Sequence, residues 1–200
     1  MSGVSRKSDE LVVLCSSDGI AIGTAPKRTV HNESTRLHLA FSCYVVTDAG
    51  DLLVTRRSRT KMTWPGVITN SCCGHPLPSE SMRSAIARRL DCELGIGLST
   101  IDLILPDFSY SARMPNGILE NELCPVFRAI VPLDCTIAPN YDEVDAAWWS
   151  PWLYFTQSIH NGQEVSPWCA MQSVALSMLA DRPIDWPVAS TSALPPAATA

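Results

Sequence analysis

Apolar and polar positions along the chain fall into blocks of two kinds. Between Ser79 and Gly95, Met82, Ile86, Leu90 and Leu94 recur every fourth residue, the spacing that keeps side chains on one face of an α-helix. Ser79 is placed to cap the start of that helix and Gly95 its end. Elsewhere the apolar residues come in short runs rich in β-branched and aromatic types. LVVL at 11–14 precedes an Asp18-Gly19 turn, and 37–46 (LHLAFSCYVV) leads through Asp48-Ala49-Gly50 into 52–55 (LLVT), the pattern of a hairpin. Trp64-Pro65-Gly66 breaks the chain before a short strand at 67–70. Further strands are predicted at 101–105, 108–112, 118–131 and 145–149, and helices near 151–159 and 167–181. Strands, one central helix, then strands and helices again predict a mixed-sheet α/β sandwich rather than a doubly wound parallel sheet.

Composition sets the limits of that domain. Two hundred residues, 46% of them hydrophobic, suffice for one α/β domain and are few for two. The domain is expected over 11–181, with residues 1–10 a flexible N-terminus and 182–200, rich in Pro, Ala, Ser and Thr, a disordered tail. No apolar run approaches the roughly 20 residues needed to span a bilayer, and no basic segment followed by an apolar core opens the chain, so a cytoplasmic protein without membrane insertion is expected. Eight cysteines without a CxxC pair argue against a zinc ribbon or a thioredoxin-like motif and read as thiols in a reducing compartment. A net charge of −5 argues against wholesale nucleic-acid binding, which usually needs a basic face. Oligomeric state stays open between a monomer and a weak dimer.

The positive charge that does matter is local. Arg56, Arg57, Arg59 and Lys61 lie within six positions, and Lys27-Arg28 form a second group; taken alone, such clusters read as solvated loops. The set His31, His38, His75, Glu120 and Glu122 carries more chemistry, because three imidazoles and two carboxylates can fill an octahedral divalent-metal shell. Glu120 and Glu122 are two apart in a strand-like run, so both side chains leave the same face, and His38 opens a run whose alternate positions are Ala40, Ser42 and Tyr44. Any one of these histidines, alone, reads equally as a hydrogen-bonded structural residue. Cys73 sits at the junction between a strand and the loop into the helix, where a thiol can give or take a proton; its neighbour Cys72 reads as a small buried residue.

From Gly74 the pattern G-x5-E-x7-R, through Glu80 and Arg88, then Glu93 and Gly95, resembles the Nudix box, a loop-helix-loop whose glutamates hold magnesium against a diphosphate. The chain departs from it at Arg89 and Cys92, where the box has glutamates. Arg89 and Glu93 also read as an i,i+4 pair on the helix surface. Together, TRLHLAFS (35–42), LLVTRR (52–57), WPGVITNSCCGHP (64–76), ELG (93–95), PDFSY (106–110), ENELCPVF (120–127) and SPW (166–168) resemble the type I isopentenyl diphosphate isomerases, over about residues 10–180.

That resemblance implies a Nudix-like fold and interconversion of isopentenyl and dimethylallyl diphosphate. It implies that His31, His38, His75, Glu120 and Glu122 bind a divalent ion (manganese, zinc or magnesium) and that Cys73 and Glu122 form the proton-transfer pair. Tyr110 would hydrogen-bond near Glu122, and Trp168 would face the positive charge developing on the substrate. Glu93 would help hold a second ion, magnesium, on the substrate diphosphate, with Lys27, Arg57, Lys61 and Arg89 as phosphate contacts. Two other readings stand beside it: a Nudix diphosphohydrolase, which needs a full acidic cluster on the 79–94 helix, and a noncatalytic Nudix-like module that binds metal or phosphate.

Overall fold

The computed structural model describes residues 10–97 and 100–199; the expected flexible start, apart from Glu10, lies outside the described residues. The strands are β1 (Leu11–Cys15), β2 (Ala21–Pro26), β3 (His38–Leu39), β4 (Phe41–Thr47), β5 (Asp51–Arg57), β6 (Ile68–Thr69), β7 (Cys72–Gly74), β8 (Thr100–Leu105), β9 (Ser109–Arg113), β10 (Leu119–Leu123), β11 (Val126–Val131) and β12 (Val144–Pro151). The helices are α1 (Lys27–Val30), α2 (Met82–Leu94), α3 (Trp152–His160) and α4 (Pro167–Ser177). One sheet runs β2-β1-β3-β10-β9; the other runs β12-β5-β4-β11-β8, with β6 on β5 and β7 on β4. The result is the mixed α/β sandwich the pattern predicts. No helix among the described residues is long and apolar enough to cross a membrane.

Two sheets meet where two chain segments cross between them side by side. The run read as one strand over 118–131 divides at Cys124-Pro125: proline has no N–H for the ladder, β10 stays in the first sheet, and β11 enters the second. The segment 37–47 does the same at Ala40. Both partners are parallel, β3 with β10 and β4 with β11, and the crossing is pinned by Ala40 N donating to Leu123 O at 2.8 Å and Ser42 N to Pro125 O at 3.1 Å.

β4 is buried along its whole length, and its alternation feeds two cores. Phe41, Cys43 and Val45 pack with Ile86, Leu90 and Leu94 of α2, while Tyr44 and Val46 pack with Trp152, Phe155, Trp168 and Leu176 of α3 and α4. Helix α2 follows the predicted period and ends as predicted, on Gly95 with φ 66°. Its cap is Ser81, whose hydroxyl accepts from Ser84 N, rather than Ser79, which takes a left-handed φ of 65° in the turn before it. Gly74 is required by close approach: a Cβ there would meet Arg89 Cγ at 2.9 Å and Phe41 Cζ at 3.0 Å. The pattern missed β2, an edge strand exposed at nearly every position, because it buries no face that alternation could reveal.

The C-terminal stretch departs most from expectation. Composition predicted disorder over 182–200, yet Trp186 is 2% exposed and packs edge-on against Trp152 (5.1 Å between centroids) and Tyr44 (5.8 Å). The buried Arg128 of β11 donates to the carbonyls of Pro183, Ile184 and Trp186 at 2.8–3.1 Å and pairs with Asp102 at 2.7 Å. Ala189 N bonds Leu103 O and Ala197 N bonds Gly19 O, both at 2.8 Å. A composition poor in large apolar residues hid one tryptophan and an arginine elsewhere that satisfies three carbonyls. Trp186→Ala is therefore expected to lower the unfolding free energy by about 3–5 kcal/mol, read by urea denaturation; a loss under about 1 kcal/mol would mean that the stretch contributes little to stability.

Candidate active site

Strand register builds the centre of the site. Across three neighbouring strands of the first sheet, Tyr110 of β9 pairs with Glu122 of β10, and Glu122 pairs with His38 of β3. Directly paired residues share a face, so phenol, carboxylate and imidazole form one row. His31 arrives from the residue after α1, and His75 from the loop after β7. Their Nε2 atoms lie 3.8 Å (His31), 3.6 Å (His38) and 3.1 Å (His75) from Glu122 Oε1.

Four candidate ligand atoms, from His31, His38, His75 and Glu122, lie within 4.8 Å of one another. Nδ1 of His38 is 2.9 Å from the Arg36 carbonyl, which can only accept, so Nδ1 carries a hydrogen and Nε2, facing Glu122, is the ring atom that could bind a cation. Nε2 of His31 and of His38 are buried with no hydrogen-bond partner, an arrangement that costs free energy unless a cation takes them up. The donor set therefore fits a divalent ion. Glu120, expected in the same shell, stands beside that group: its Oε2 lies 3.0 Å from the Tyr110 hydroxyl, whose other neighbour is Glu122 Oε2 at 2.9 Å.

Electrostatics differ sharply between these groups. Burial alone would raise Glu122, but the three imidazoles outweigh it and hold this carboxylate well below its usual range. Glu120 is pushed up, by burial first and then by the charge of Glu122. Burial takes His75 down to about 3, which keeps its ring neutral, and takes the Cys73 thiol up to about 11.

Cys73, Glu122, Glu120, Tyr110 and Trp168 line one cavity of about 460 Å³. Cys73 pairs with Ser42 across β7 and β4, in the second sheet, so the thiol and the carboxylate come from different sheets. Trp168 is fixed by the start of α4, where Ser166 N donates to Ile68 O at 2.9 Å and Ser166 Oγ lies 2.7 Å from Thr69 Oγ1. Its indole already faces a cation, the Arg57 guanidinium, whose central carbon is 5.5 Å from the ring centroid.

The four expected phosphate contacts, Lys27, Arg57, Lys61 and Arg89, all line the same cavity. Three are paired: Lys27 with Glu10 at 2.7 Å, Lys61 with Glu143, and Arg89 with Glu93 and, at 3.3 Å, with Glu143. Arg89 and Glu93 are an i,i+4 pair as expected, but a buried one, each 6% exposed, because α2 turns this face inward. Glu93 is also not among the residues that line the cavity; Arg89 stands at the wall and holds it. Glu80 is engaged as well, gripped by Arg88 through two bonds of 2.7 and 2.8 Å, while Arg88 also donates to the His75 carbonyl and so ties α2 to a candidate ligand. Sequence reasoning missed Glu10, Glu143 and Met62 on the cavity wall, none of which sits in a motif.

The chain is similar to known proteins in sequence and fold. The NUDIX domain pattern covers residues 36–169. An isopentenyl-diphosphate Delta-isomerase of Saccharopolyspora erythraea is 49% identical over 190 residues, 94% of this chain and 97% of its own. The chain belongs to the Nudix family, among the isopentenyl-diphosphate Delta-isomerases. The isomerase of Rhizobium rhizogenes is likewise 49% identical, over 96% of this chain and 92% of its own. Among solved structures, a Deinococcus radiodurans protein superposes with a TM-score of 0.65 at 18% identity, covering 83% of this chain and 98% of that one, and a MutT protein of Methanosarcina mazei with 0.56 at 17%, covering 71% and 94%. At those identities the structures speak for the fold alone.

The cluster makes one direct prediction. His38→Ala is expected to weaken binding of a divalent transition-metal ion by more than the roughly 10–100-fold that loss of outer-shell support costs, measured by competition with a chelating dye. Unchanged affinity would remove His38 from the ligand set.

Proposed function

We propose that this isomerase interconverts isopentenyl and dimethylallyl diphosphate with Cys73 and Glu122 as its proton-transfer pair. The observation that carries the reading is that a thiol and a carboxylate from opposite sheets line one cavity together with an indole face. Moving the double bond adds a proton at the terminal carbon and removes one from C2, with no net change in atoms or charge. Two groups on different walls are what such an exchange needs.

The tertiary cation formed between those steps is stabilised by Trp168, whose face attracts positive charge without attacking it; the contact with Arg57 supports that role. Tyr110 holds the Glu122 carboxylate in place by hydrogen bonding. His31, His38, His75 and Glu122, with Glu120 beside them, would hold a divalent ion of manganese, zinc or magnesium, which supplies fixed positive charge next to the reacting carboxylate. Lys27, Arg57, Lys61 and Arg89 receive the diphosphate, and Glu93, now paired with Arg89, would help hold a magnesium ion on it once Arg89 had turned toward phosphate; such an ion would neutralise the diphosphate charge. Eight free thiols suit a reducing compartment, the basis for placing the reaction in the cytoplasm.

The hydrolase reading loses support from α2. Arg89 and Cys92 stand where acidic ligands are needed, and the carboxylates of Glu80 and Glu93 are both held by arginines.

The test is proton NMR of the purified protein with isopentenyl diphosphate and magnesium in deuterated water. Dimethylallyl diphosphate carrying deuterium, and its loss on chelation, is the expected result; release of inorganic phosphate would favour the hydrolase, and no change a binding module. Cys73→Ser is expected to cut turnover by about 10²–10⁴-fold while leaving the fold intact, and a near-normal rate would exclude its acid-base role. Trp168→Ala should lower kcat by roughly 30-fold, the equivalent of about 2 kcal/mol of cation stabilisation, with a smaller effect on diphosphate binding; a change confined to affinity would assign the ring to packing.

A further inference from the structure

Behind the cavity wall, Cys73 and Trp168 are joined by two separate hydrogen-bonded arms. In the first, Asn70 Oδ1 accepts from Trp168 Nε1 at 3.0 Å and from Cys73 Sγ at 3.2 Å. The Asn70 amide cannot flip: its Nδ2 donates to the carbonyls of Cys43 and Cys72, both at 3.1 Å, and carbonyls only accept. Its oxygen must therefore face the indole N–H and the thiol.

The second arm starts one helical turn along α4, at Gln172, four residues after Trp168 and on the same face. Gln172 Nε2 donates to Ser42 Oγ at 2.9 Å, and the Tyr44 hydroxyl donates to Gln172 Oε1 at 3.1 Å. Ser42 then has its own hydrogen to give to sulfur, that of Cys73 at 3.4 Å or of Cys124 at 3.5 Å. Asn70, Ser42, Tyr44 and Gln172 are fully buried, so no water competes for these bonds.

The arms close into a ring: Cys73, Asn70, Trp168, one turn of α4, Gln172, Ser42 and back to Cys73. We infer that Asn70 and Gln172 are positioning residues that hold the Cys73 sulfur at a fixed offset from the Trp168 face, Gln172 acting through Ser42. This rests on the proposed roles of Cys73 and Trp168. An alkene must lie within contact of the thiol and over the indole at once, so a sulfur that can swing away, or an α4 that can slide by a fraction of a turn, loses one contact when it keeps the other. Neither amide lines the cavity, so neither touches substrate.

Gln172→Met keeps length and approximate volume but cannot donate to Ser42, and Ser42→Ala cuts the same arm with a smaller change in packing. Each is expected to lower kcat for isopentenyl diphosphate by about 10- to 100-fold with KM held within about 2-fold, the pattern of a misplaced reacting group. Because both cut one arm, the double variant should cost no more than the worse single one, whereas Asn70→Ala added to either should cost more. Unchanged kcat in Gln172→Met and Ser42→Ala, an effect confined to KM, or a loss that vanishes when rates are corrected for the folded fraction by circular dichroism would overturn the inference. Cys73→Ser in the same assay separates the two levels: if it retains its rate, the proposed reading itself fails, and if it is inactive while the arm variants are normal, only the ring fails.

Discussion

The site depends on one buried carboxylate. Glu122 sits under three imidazoles and beside a phenol, 6% exposed, and the chain has arranged two sheets to put it there. Removing a carboxylate from water costs several kcal/mol unless partners replace the lost hydration. The replacement comes from register: β3, β10 and β9 lie side by side so that His38 and Tyr110 flank Glu122 on one face. That row exists only because residues 37–47 and 119–131 cross between the sheets together, each pair parallel before and after the crossing. The same crossing brings Ser42, and through it Cys73, to the cavity from the second sheet.

Charge accounting explains why an acidic chain can receive an anion. The cavity wall carries Lys27, Arg57, Lys61 and Arg89 together with Glu10, Glu143, Glu120 and Glu122. Most of the cations are held by carboxylates, which keeps buried charge compensated while no anion is present. Under the proposed function a diphosphate would offer stronger, multidentate acceptors to the same side chains, so its arrival would exchange partners rather than bury new charge. Such an exchange would also free carboxylates that a magnesium ion could use.

How much of this was legible in sequence differed by element. Helix α2 and its glycine cap followed from a four-residue period, and the β4 and β5 pairing from the run of β-formers, because both bury a face completely. The split of 118–131 was not read, although Pro125 marks it, because apolar residues continue on both sides of the proline. For the site, the fold brings His31, His38, His75 and Glu122 together, with Glu120 beside that group and Glu93 behind Arg89. Ser42 and Tyr44 were visible as the face shared with His38, but their link to Gln172 spans about 130 positions, a separation that no local pattern encodes. The tail misled for the opposite reason. Its composition was read as a whole, whereas its order comes from Trp186 and from an arginine more than fifty residues earlier.

The departures at Arg89 and Cys92 show how a helix built for one use of a diphosphate can serve another. A cluster of glutamates on α2 would gather metal ions against the substrate and activate water for attack at phosphorus. With Arg89 on that face, the helix presents a cation to the cavity with Glu93 paired behind it, an arrangement that under the proposed function would hold the diphosphate rather than hydrolyse it. In the proposed reaction the chemistry would fall to Glu122, Cys73 and Trp168, which line the same cavity. Binding energy from the unreacting diphosphate would hold the alkene there, against a buried Glu122 and Trp168 and a half-buried Cys73.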